Sequence, residues 1–334
     1  MTEARRSVGA ERRSARAFGK VIVLGEHAVV YGVPALVGGL LRGVDARVGH
    51  PEAGAGQLRF LEPYRAAAKQ HRVATDRAWS ALCGVEPKLG PVEAELSGDL
   101  PAGMGLGFSA AAGVALARAV ERLRVGDAAP SIVEARAMAW ERVFHGNPSG
   151  VDVAAAMRGG LLRFVRGQPF EAVPTDAEME LVIGLTGVPS ATRPMVERVA
   201  ELRRSRPRRV ARAVEQIGRA VEEGIEAARA ADDGRLGATL ERAQELLCEL
   251  EVSTPTIDRM CRAAREAGAL GAKLTGSGGG GAVIALCGFR RAGPRGESVA
   301  ARARSILSSW QQQGWEAFAA AVGMAERERP EETT

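Results

Sequence analysis

The segment 99-DLPAGMGLGFSAAAG-113 places three closely spaced glycines, Gly103, Gly105 and Gly107, directly ahead of a run of alanines. The preceding 91-PVEAEL-96 alternates in period two, which is typical of a half-buried strand, and the alanines from Ala110 predict a helix. Backbone N–H groups at a helix start bind anions, and glycines let phosphate oxygens come close. The segment therefore predicts a polyphosphate loop with Ser109 placed to offer its hydroxyl to magnesium, although a tight ligand-free connection has the same composition.

Two well-known phosphate loops do not fit this segment. A Walker A loop requires Gly-Lys-Ser/Thr, and no lysine follows these glycines. A dinucleotide-binding fingerprint requires G-x-G-x-x-G with an acidic residue about twenty positions on, whereas Asp127 lies in a turn-like 126-GDAAP-130. The loop is therefore expected to belong to another class of anion site.

Two further glycine-containing segments carry polar residues or unusual glycine content. In 19-GKVIVLGEHAVVYG-32, Lys20 is expected to enter an apolar strand, and Glu26 and His27 to leave it. Lys20 is one of only four lysines in a chain whose other basic residues are arginines, which favours a function, although a surface turn after a core strand is the ordinary alternative. The segment 276-GSGGGG-281 lies between apolar strands, and so many glycines indicate a backbone that approaches a ligand closely.

Two carboxylates flank a helix break in 140-WERVFHGNPSGVD-152. Ser131 and Glu134 form a capping-box pattern that predicts a helix from there to about Phe144, and Ser149 is expected to cap the next one. Phosphoryl transfer uses one carboxylate to hold magnesium and another to accept a hydroxyl proton, which would suit Glu141 and Asp152. Alternatively, Asp152 completes a capping box and Glu141 faces solvent.

Composition bounds the class of protein. The 334 residues are 46% hydrophobic and 25% charged, which indicates a globular protein of about two domains. No run reaches the roughly 18 apolar residues of a membrane span, no secretory signal precedes the first strand, and the cysteines lack CxxC spacing. The basic 203-RRSRPRR-209 has no interleaved aromatic residues. We therefore expect a cytoplasmic protein without a membrane or nucleic-acid partner.

The remaining pattern predicts the domain organisation. Strands are expected at 159–165 and 179–186, helices over 194–267 with interruptions at Pro207 and Pro255, and a strand–loop–strand unit over 271–287. The change of character near residue 170 predicts an N-terminal domain over 17–170 and a C-terminal domain over 171–325. Residues 1–16 are expected to form a disordered leader and 326–334 a disordered tail.

Taken in order, the segments 19–40, 100–117, 145–160 and 273–286 resemble the motifs of the GHMP family of small-molecule kinases, which includes the galacto-, homoserine, mevalonate and phosphomevalonate kinases. Within that family, 25-GEHAVVYG-32 and 145-HGNPSGVD-152 are most similar to the motifs of mevalonate kinases. The resemblance implies a two-domain α+β fold, with an N-terminal ribosomal-protein-like α/β domain and a C-terminal ferredoxin-like domain.

The resemblance also implies roles for individual residues, with ATP and Mg²⁺ as cofactors. Asp152 would be the catalytic base with Lys20 beside it, and Ser109 and Glu141 would ligate the metal. The acceptor would contact Lys20, Glu26, His27, Asp152 and Thr192. The nucleotide phosphates would lie on Pro101, Gly103, Met104, Gly105, Leu106, Gly107, Phe108 and Ser109, and on Gly276, Gly278 and Gly279 of the second glycine loop.

The implied reaction is ATP-dependent phosphorylation of the 5-hydroxyl of (R)-mevalonate in isoprenoid biosynthesis, and the resemblance allows for a homodimer. The alternatives are another kinase of the family, acting on phosphomevalonate, a sugar or an amino alcohol, and a non-catalytic ligand- or RNA-binding relative. Phe108 stands where the family usually has serine. We expect a modest effect on nucleotide affinity, because the backbone N–H rather than the side chain would bind phosphate.

Overall fold

The computed structural model describes residues 12–51, 56–126, 129–146, 148–190, 192–290 and 294–322. The chain divides into two compact units. The first unit comprises Met1–Phe18, Arg42–Ala102 and Phe108–Met157, and the second comprises Gly19–Leu41, Gly103–Gly107 and Arg158–Thr334. Within the described ranges, no helix has the length and apolar character needed to cross a bilayer.

The described residues form ten strands and ten α-helices. The strands are β1 (Arg13–Leu24), β2 (Ala35–Gly49), β3 (Leu58–Phe60), β4 (Glu93–Gly98), β5 (Leu161–Phe164), β6 (Glu171–Val173), β7 (Glu178–Leu185), β8 (Ala272–Thr275), β9 (Ala282–Arg290) and β10 (Ala317–Val322). The helices are α1 (Arg65–Gln70), α2 (Arg72–Cys83), α3 (Phe108–Val125), α4 (Pro130–His145), α5 (Val151–Arg158), α6 (Thr192–Ser205), α7 (Pro207–Arg229), α8 (Asp233–Glu249), α9 (Pro255–Glu266) and α10 (Pro294–Gln312). A short 3-10 turn follows β1 at Ala28–Tyr31.

In the first unit, helices pack together beside a small sheet. β4 pairs antiparallel with the end of β2, from Val44 opposite Gly98 to Gly49 opposite Glu93, and β3 pairs parallel with β4. Helix α4 packs against both α2 and α3. At the α3–α4 contact, a Cβ on Gly113 would lie only 2.7 Å from Cδ1 of Trp140, so the alanine- and glycine-rich sequence of α3 allows a close approach.

In the second unit, β10, β7, β9 and β8 pair antiparallel in that order. Helices α9 and α10 pack on these strands, and α7 packs on α6 and α8. Trp310 of α10 is fully buried beside Gly184 of β7, where a Cβ would lie 2.6 Å from its ring. The mixture of helices and mainly antiparallel strands in both units confirms the predicted α+β class.

The first strand is longer than the sequence predicts. β1 begins at Arg13, so residues 13–16 belong to a strand, and the expectation of a disordered leader as far as residue 16 is wrong for them. Arg16 is held by Asp45 and Asp99 at 2.7 and 2.8 Å, and Ala15 is buried. Lys20 consequently lies inside the strand rather than at its start. Residues 1–11 and the expected tail at 326–334 lie outside the described residues.

Helix α4 also begins earlier than predicted. Its N-cap is Ala129 and its first residue is Pro130, so Ser131 lies inside the first turn and is not the cap. Proline is favoured at the first helical position, because its missing N–H would be unpaired there in any case. Pro207 and Pro255, predicted as interruptions, are likewise the first residues of α7 and α9. The domain boundary near residue 170 stays a prediction.

Candidate active site

The glycine loop 103–107 lies in the second unit against Lys20. All three glycines have left-handed backbone angles, with φ of 76° at Gly103 and 78° at Gly105 and Gly107. A Cβ on Gly107 would lie 2.8 Å from Cγ of Lys20, and the Lys20 N–H donates to the Leu106 carbonyl at 2.9 Å. Glycine is therefore required at position 107 both for its backbone angle and for the close approach of Lys20.

The second glycine loop lies beside the first. A Cβ on Gly276 would lie 3.9 Å from the Gly105 carbonyl oxygen, and one on Gly281 would lie 3.4 Å from the Met104 carbonyl oxygen. Gly276, Gly278 and Gly279 also have positive φ, at 86°, 73° and 70°. The structure thus places the two glycine loops side by side. Lys20, which belongs to the third glycine-containing segment that the sequence singles out, lies against the first of these loops.

Hydrogen bonds from neighbouring loops hold the second glycine loop in place. The hydroxyls of Ser190 and Ser277 lie 2.7 Å apart, the Gly281 N–H donates to Val188 at 2.7 Å, and the Gly279 N–H donates to Val252 at 2.9 Å. Sequence reasoning missed Ser190, although it lies in 187-GVPSATR-193, two residues before the predicted Thr192. Its serine–serine contact spans 87 residues of chain, which no local pattern signals.

His27 is buried after β1 in a left-handed backbone conformation, with φ of 59°. Burial lowers the pKa of His27, while its bond to Ser277 acts in the opposite direction. In the neutral imidazole, an Nε2 proton donates to the Ser277 carbonyl oxygen at 2.9 Å. His27 is thereby tied to the second glycine loop as a neutral hydrogen-bonding group.

Glu26 is buried in an ion pair with Lys273, a residue of β8 that sequence reasoning missed. The Lys273 ammonium donates to Oε1 of Glu26 and to the carbonyl oxygen of Leu274. Burial raises the pKa of Glu26 and lowers that of Lys273, and each partner's charge reduces the shift of the other. The only signal in the sequence was that Lys273 is one of four lysines and stands in an otherwise apolar strand.

In the first unit, Ser109 and Glu141 are directly hydrogen-bonded. The Ser109 hydroxyl donates to Oε1 of Glu141, and the indole N–H of Trp140 donates to the Ser109 carbonyl at 3.0 Å. Glu141 is 2% exposed, so the alternative that it faces solvent is wrong. His145 approaches its other oxygen at 3.7 Å.

This pair fits the donor set expected for magnesium. Mg²⁺ prefers oxygen ligands and is usually held by one or two protein groups, with water and substrate phosphates completing its shell. The described residues contain no cluster of three or more metal-ligating His, Cys, Asp or Glu side chains. The Ser109 hydroxyl at the start of α3 and the Glu141 carboxylate near the end of α4 are oxygen donors of the kind that suits a metal arriving with phosphates.

The Phe108 side chain has a packing role that the sequence did not reveal. Its ring lies against Tyr64 with centroids 4.5 Å apart, in a tilted arrangement. The Tyr64 hydroxyl accepts a hydrogen bond from the Leu100 N–H at 3.1 Å, next to the residues that lead into the glycine loop. Phe108 is therefore more than a tolerated substitution, because its ring packs on the residue that holds the end of β4.

The remaining predicted residues lie as follows. Asp152 is half-buried in the first turn of α5. The N–H of Val151, the first residue of this helix, donates to the Ser149 hydroxyl at 3.4 Å. Pro101 is half-buried just after β4, and Thr192 is exposed as the first residue of α6. Their roles stay predictions.

The chain is similar to known kinases along most of its length. Residues 72–160 match the model of the GHMP kinases N-terminal domain, and residues 225–313 match that of the GHMP kinases C-terminal domain. A mevalonate kinase of Aeropyrum pernix is 35% identical over 82% of this chain and 89% of its own length. One from Thermococcus sibiricus is 32% identical over 80% of this chain and 86% of its own length.

A solved structure has the same fold. The structure of L. major mevalonate kinase in complex with R-mevalonate superposes with a TM-score of 0.82 and 26% identity, covering 97% of this chain and 99% of the other. The sequence motifs, the two matched family domains and the relatives above 30% identity agree with one another. The chain belongs to the GHMP kinase family.

Proposed function

We propose that this kinase uses ATP to phosphorylate the 5-hydroxyl of (R)-mevalonate, which yields 5-phosphomevalonate and ADP. The observation that carries the proposal is the 35% identity to a mevalonate kinase over 82% of the chain. The neighbouring structure that contains R-mevalonate supports the same substrate. The buried Glu26 and His27 are polar groups that would bind hydroxyl groups of a small acceptor.

The two glycine loops are suited to bind the nucleotide phosphates. Backbone N–H groups of residues 103–109 would bind the phosphate oxygens, because consecutive N–H groups at the start of α3 coincide with the positive end of its dipole. Gly276, Gly278 and Gly279 would contribute from the second loop. ATP would supply the phosphoryl group, and Ser109 and Glu141 would hold the Mg²⁺ ion, which when bound would neutralise phosphate charge.

Asp152 is proposed as the general base and Lys20 as the electrostatic partner. The Asp152 carboxylate accepts the proton of the 5-hydroxyl while that oxygen forms its bond to phosphorus and the bond to ADP breaks. The Lys20 ammonium stabilises the negative charge that develops during transfer. Glu26, His27 and Thr192 are proposed to bind the acceptor and orient its hydroxyl.

The test is a coupled assay of ADP release with ATP, Mg²⁺ and (R)-mevalonate. We expect turnover with mevalonate to exceed that with phosphomevalonate, galactose or homoserine at the same concentration. Stronger turnover with one of the other acceptors would assign the chain to a sister activity of the family. No turnover with any acceptor would contradict the kinase proposal itself.

The largest effect on turnover is expected for Asp152→Asn. Because general-base catalysis contributes about 10²–10⁴-fold, kcat should fall at least about a hundredfold while nucleotide affinity stays nearly unchanged. Steady-state kinetics and nucleotide titration measure the two quantities. Asp176→Asn makes the same chemical change at an exposed position and is the matched control. If kcat of Asp152→Asn stays within a few-fold of wild type, Asp152 serves only the start of α5.

A further inference from the structure

The buried pair of Glu26 and Lys273 is incomplete on one side. The side chain of Glu26 is 1% exposed and that of Lys273 is not exposed at all. The ammonium has two acceptors, Oε1 of Glu26 and the Leu274 carbonyl. The second carboxylate oxygen, Oε2, is buried and accepts no hydrogen bond from any described residue. Buried carboxylate oxygens are almost always hydrogen-bonded, so this oxygen requires an explanation.

Stability does not explain the pair. Removing two charges from water is expensive, and a buried ion pair returns that free energy only when its remaining hydrogen bonds are also made. Here burial raises the pKa of Glu26 and outweighs the opposing charges of Lys273 and Lys20. Replacing a buried ion pair by an apolar pair of similar volume is often neutral or stabilising. The stability of the fold is therefore a weak reason for this carboxylate to be buried here.

The neighbours of Glu26 belong to the proposed active site. The Glu26 carboxylate is close enough to Lys20 for the lysine charge to lower its pKa, and Lys20 in turn lies against the glycine loop. The next residue, His27, is bonded to the second glycine loop through Ser277. An ionised carboxylate oxygen can only accept hydrogen bonds, so the complementary group on a ligand is a hydroxyl and not a carboxylate.

We infer that Lys273 is a positioning residue that holds the Glu26 carboxylate through Oε1, so that Oε2 is presented to a hydroxyl of the phosphoryl acceptor. This inference rests on the proposed function. Lys273 itself touches neither acceptor nor nucleotide, and acts only by keeping Glu26 ionised and in one orientation. Its contact with the Leu274 carbonyl fixes the ammonium, which in turn fixes the carboxylate.

The first measurement is the kinetics of Lys273→Met, which removes the ammonium and keeps much of the side-chain volume. Without its counter-ion, Glu26 protonates or turns. A hydrogen bond to a charged group contributes about 1.5–3 kcal/mol, so KM for mevalonate should rise about tenfold to a hundredfold. KM for ATP and kcat should stay within about twofold. A rise in both KM values would indicate a merely structural lysine and would overturn the inference.

The decisive measurement is a double-mutant cycle with Glu26→Gln. If Lys273 acts only through Glu26, Lys273→Met should change KM for mevalonate by no more than about twofold when position 26 is already Gln. If the two substitutions raise KM for mevalonate independently, so that their fold-changes multiply in the double variant, the inference is overturned. Lys273→Gln, which retains a donor for Glu26, should raise KM less than Lys273→Met, and it completes the same cycle if Lys273→Met does not fold. Lys88→Met, at a side chain that is 73% exposed, is the matched control and should behave as wild type.

The wild-type assay separates this inference from the proposed function. If the wild type turns over no hydroxyl acceptor, both are overturned. If it phosphorylates mevalonate and the two substitutions act independently, the kinase activity stands and only the role of Lys273 is lost.

Discussion

Among the described residues, each unit contains one ion pair whose two side chains are both buried, and the two pairs differ in how completely their hydrogen bonds are made. In the first unit, Glu121 of α3 pairs with Arg136 of α4, and both side chains are at most 1% exposed. In the second unit, Glu26 pairs with Lys273 at the same degree of burial. Solvent exposure and charge are thus alike, whereas the depth of burial and the remaining donors and acceptors differ.

The pair in the first unit is fully bonded. The Arg136 guanidinium donates to Glu121 at 2.8 Å and to the carbonyls of Leu82, Val85 and Pro87 at 2.8, 3.1 and 2.8 Å. Arg124 donates to the other oxygen of Glu121 at 2.8 Å. Burial alone would raise the pKa of Glu121, but the hydrogen bonds and charges of the two arginines outweigh it, and its pKa is lowered.

The opposite pKa shifts express the different roles of the two carboxylates. Arg124 of α3 and Arg136 of α4 stabilise the charge of Glu121, and Arg136 also bonds to carbonyls at the end of α2 and in the segment that follows it. Glu26 is more deeply buried, which is the main reason that its pKa is raised, and one of its oxygens is also unbonded. A buried charge with all its bonds made is a structural clamp, whereas one with an open acceptor is suited to receive a ligand.

Breaking the complete pair should have the largest effect on stability. Arg136→Met leaves Glu121 with only Arg124 and removes the donor to three carbonyls. We expect the free energy of unfolding, measured by urea denaturation, to fall by about 3–5 kcal/mol. The KM values of the folded enzyme should not change. Arg142→Met, an exposed arginine on the same helix, is the control. A loss below about 1 kcal/mol would mean that the two pairs do not differ as described.

Replacing both members of the incomplete pair should affect stability far less. In the double variant Glu26→Gln/Lys273→Met no buried charge is left behind, and such replacements of buried pairs are often neutral or stabilising. We expect the free energy of unfolding to stay within about 1 kcal/mol of wild type, while mevalonate binding is impaired. A loss as large as that of Arg136→Met would show that this pair, too, serves the fold.

The smallest expected effect is on how the free energy of unfolding changes at acidic pH. Because the folded pKa of Glu121 lies below its unfolded value near 4.5, its contribution is fully present above that pH and is lost as pH falls through the folded pKa. Arg124→Met should raise the folded pKa of Glu121 towards the unfolded value, so that less stability is lost and the loss is complete at a higher pH. Since Arg124 is one-third exposed and solvent screens its charge, the effect at pH 7 should be small. Urea denaturation between pH 7 and pH 3 measures it, and an unchanged pH profile would contradict it.

Much of the local organisation could be predicted from the sequence. The strand–glycine loop–helix unit around Gly103–Gly107 and the strands of the second unit follow from periodicity and glycine content, and the α+β class follows from the family resemblance. The structure confirms them. The start of β1 and the cap of α4 were predicted wrongly, because the salt bridges of Arg16 and the position of Pro130 outweighed local composition.

The partners of the site residues could not be predicted in the same way. Ser190 bonds to a residue 87 positions away, and Lys273 to one 247 positions away. Neither contact leaves a period or a spacing in the chain. Tyr64 shows the same limit, because nothing near it in the sequence indicates that it packs on Phe108.

By itself, the sequence determined which segments have the backbone freedom to approach an anion and which residue types could carry phosphoryl transfer, because both are local properties of glycine, serine, lysine and carboxylates. Only the tertiary structure decided that Glu121 is fully bonded and Glu26 is not. The physical reason is that the pKa of a buried carboxylate, and whether each of its oxygens accepts a hydrogen bond, depend on which donors reach it. Only folding brings donors that are distant in the chain within hydrogen-bonding distance.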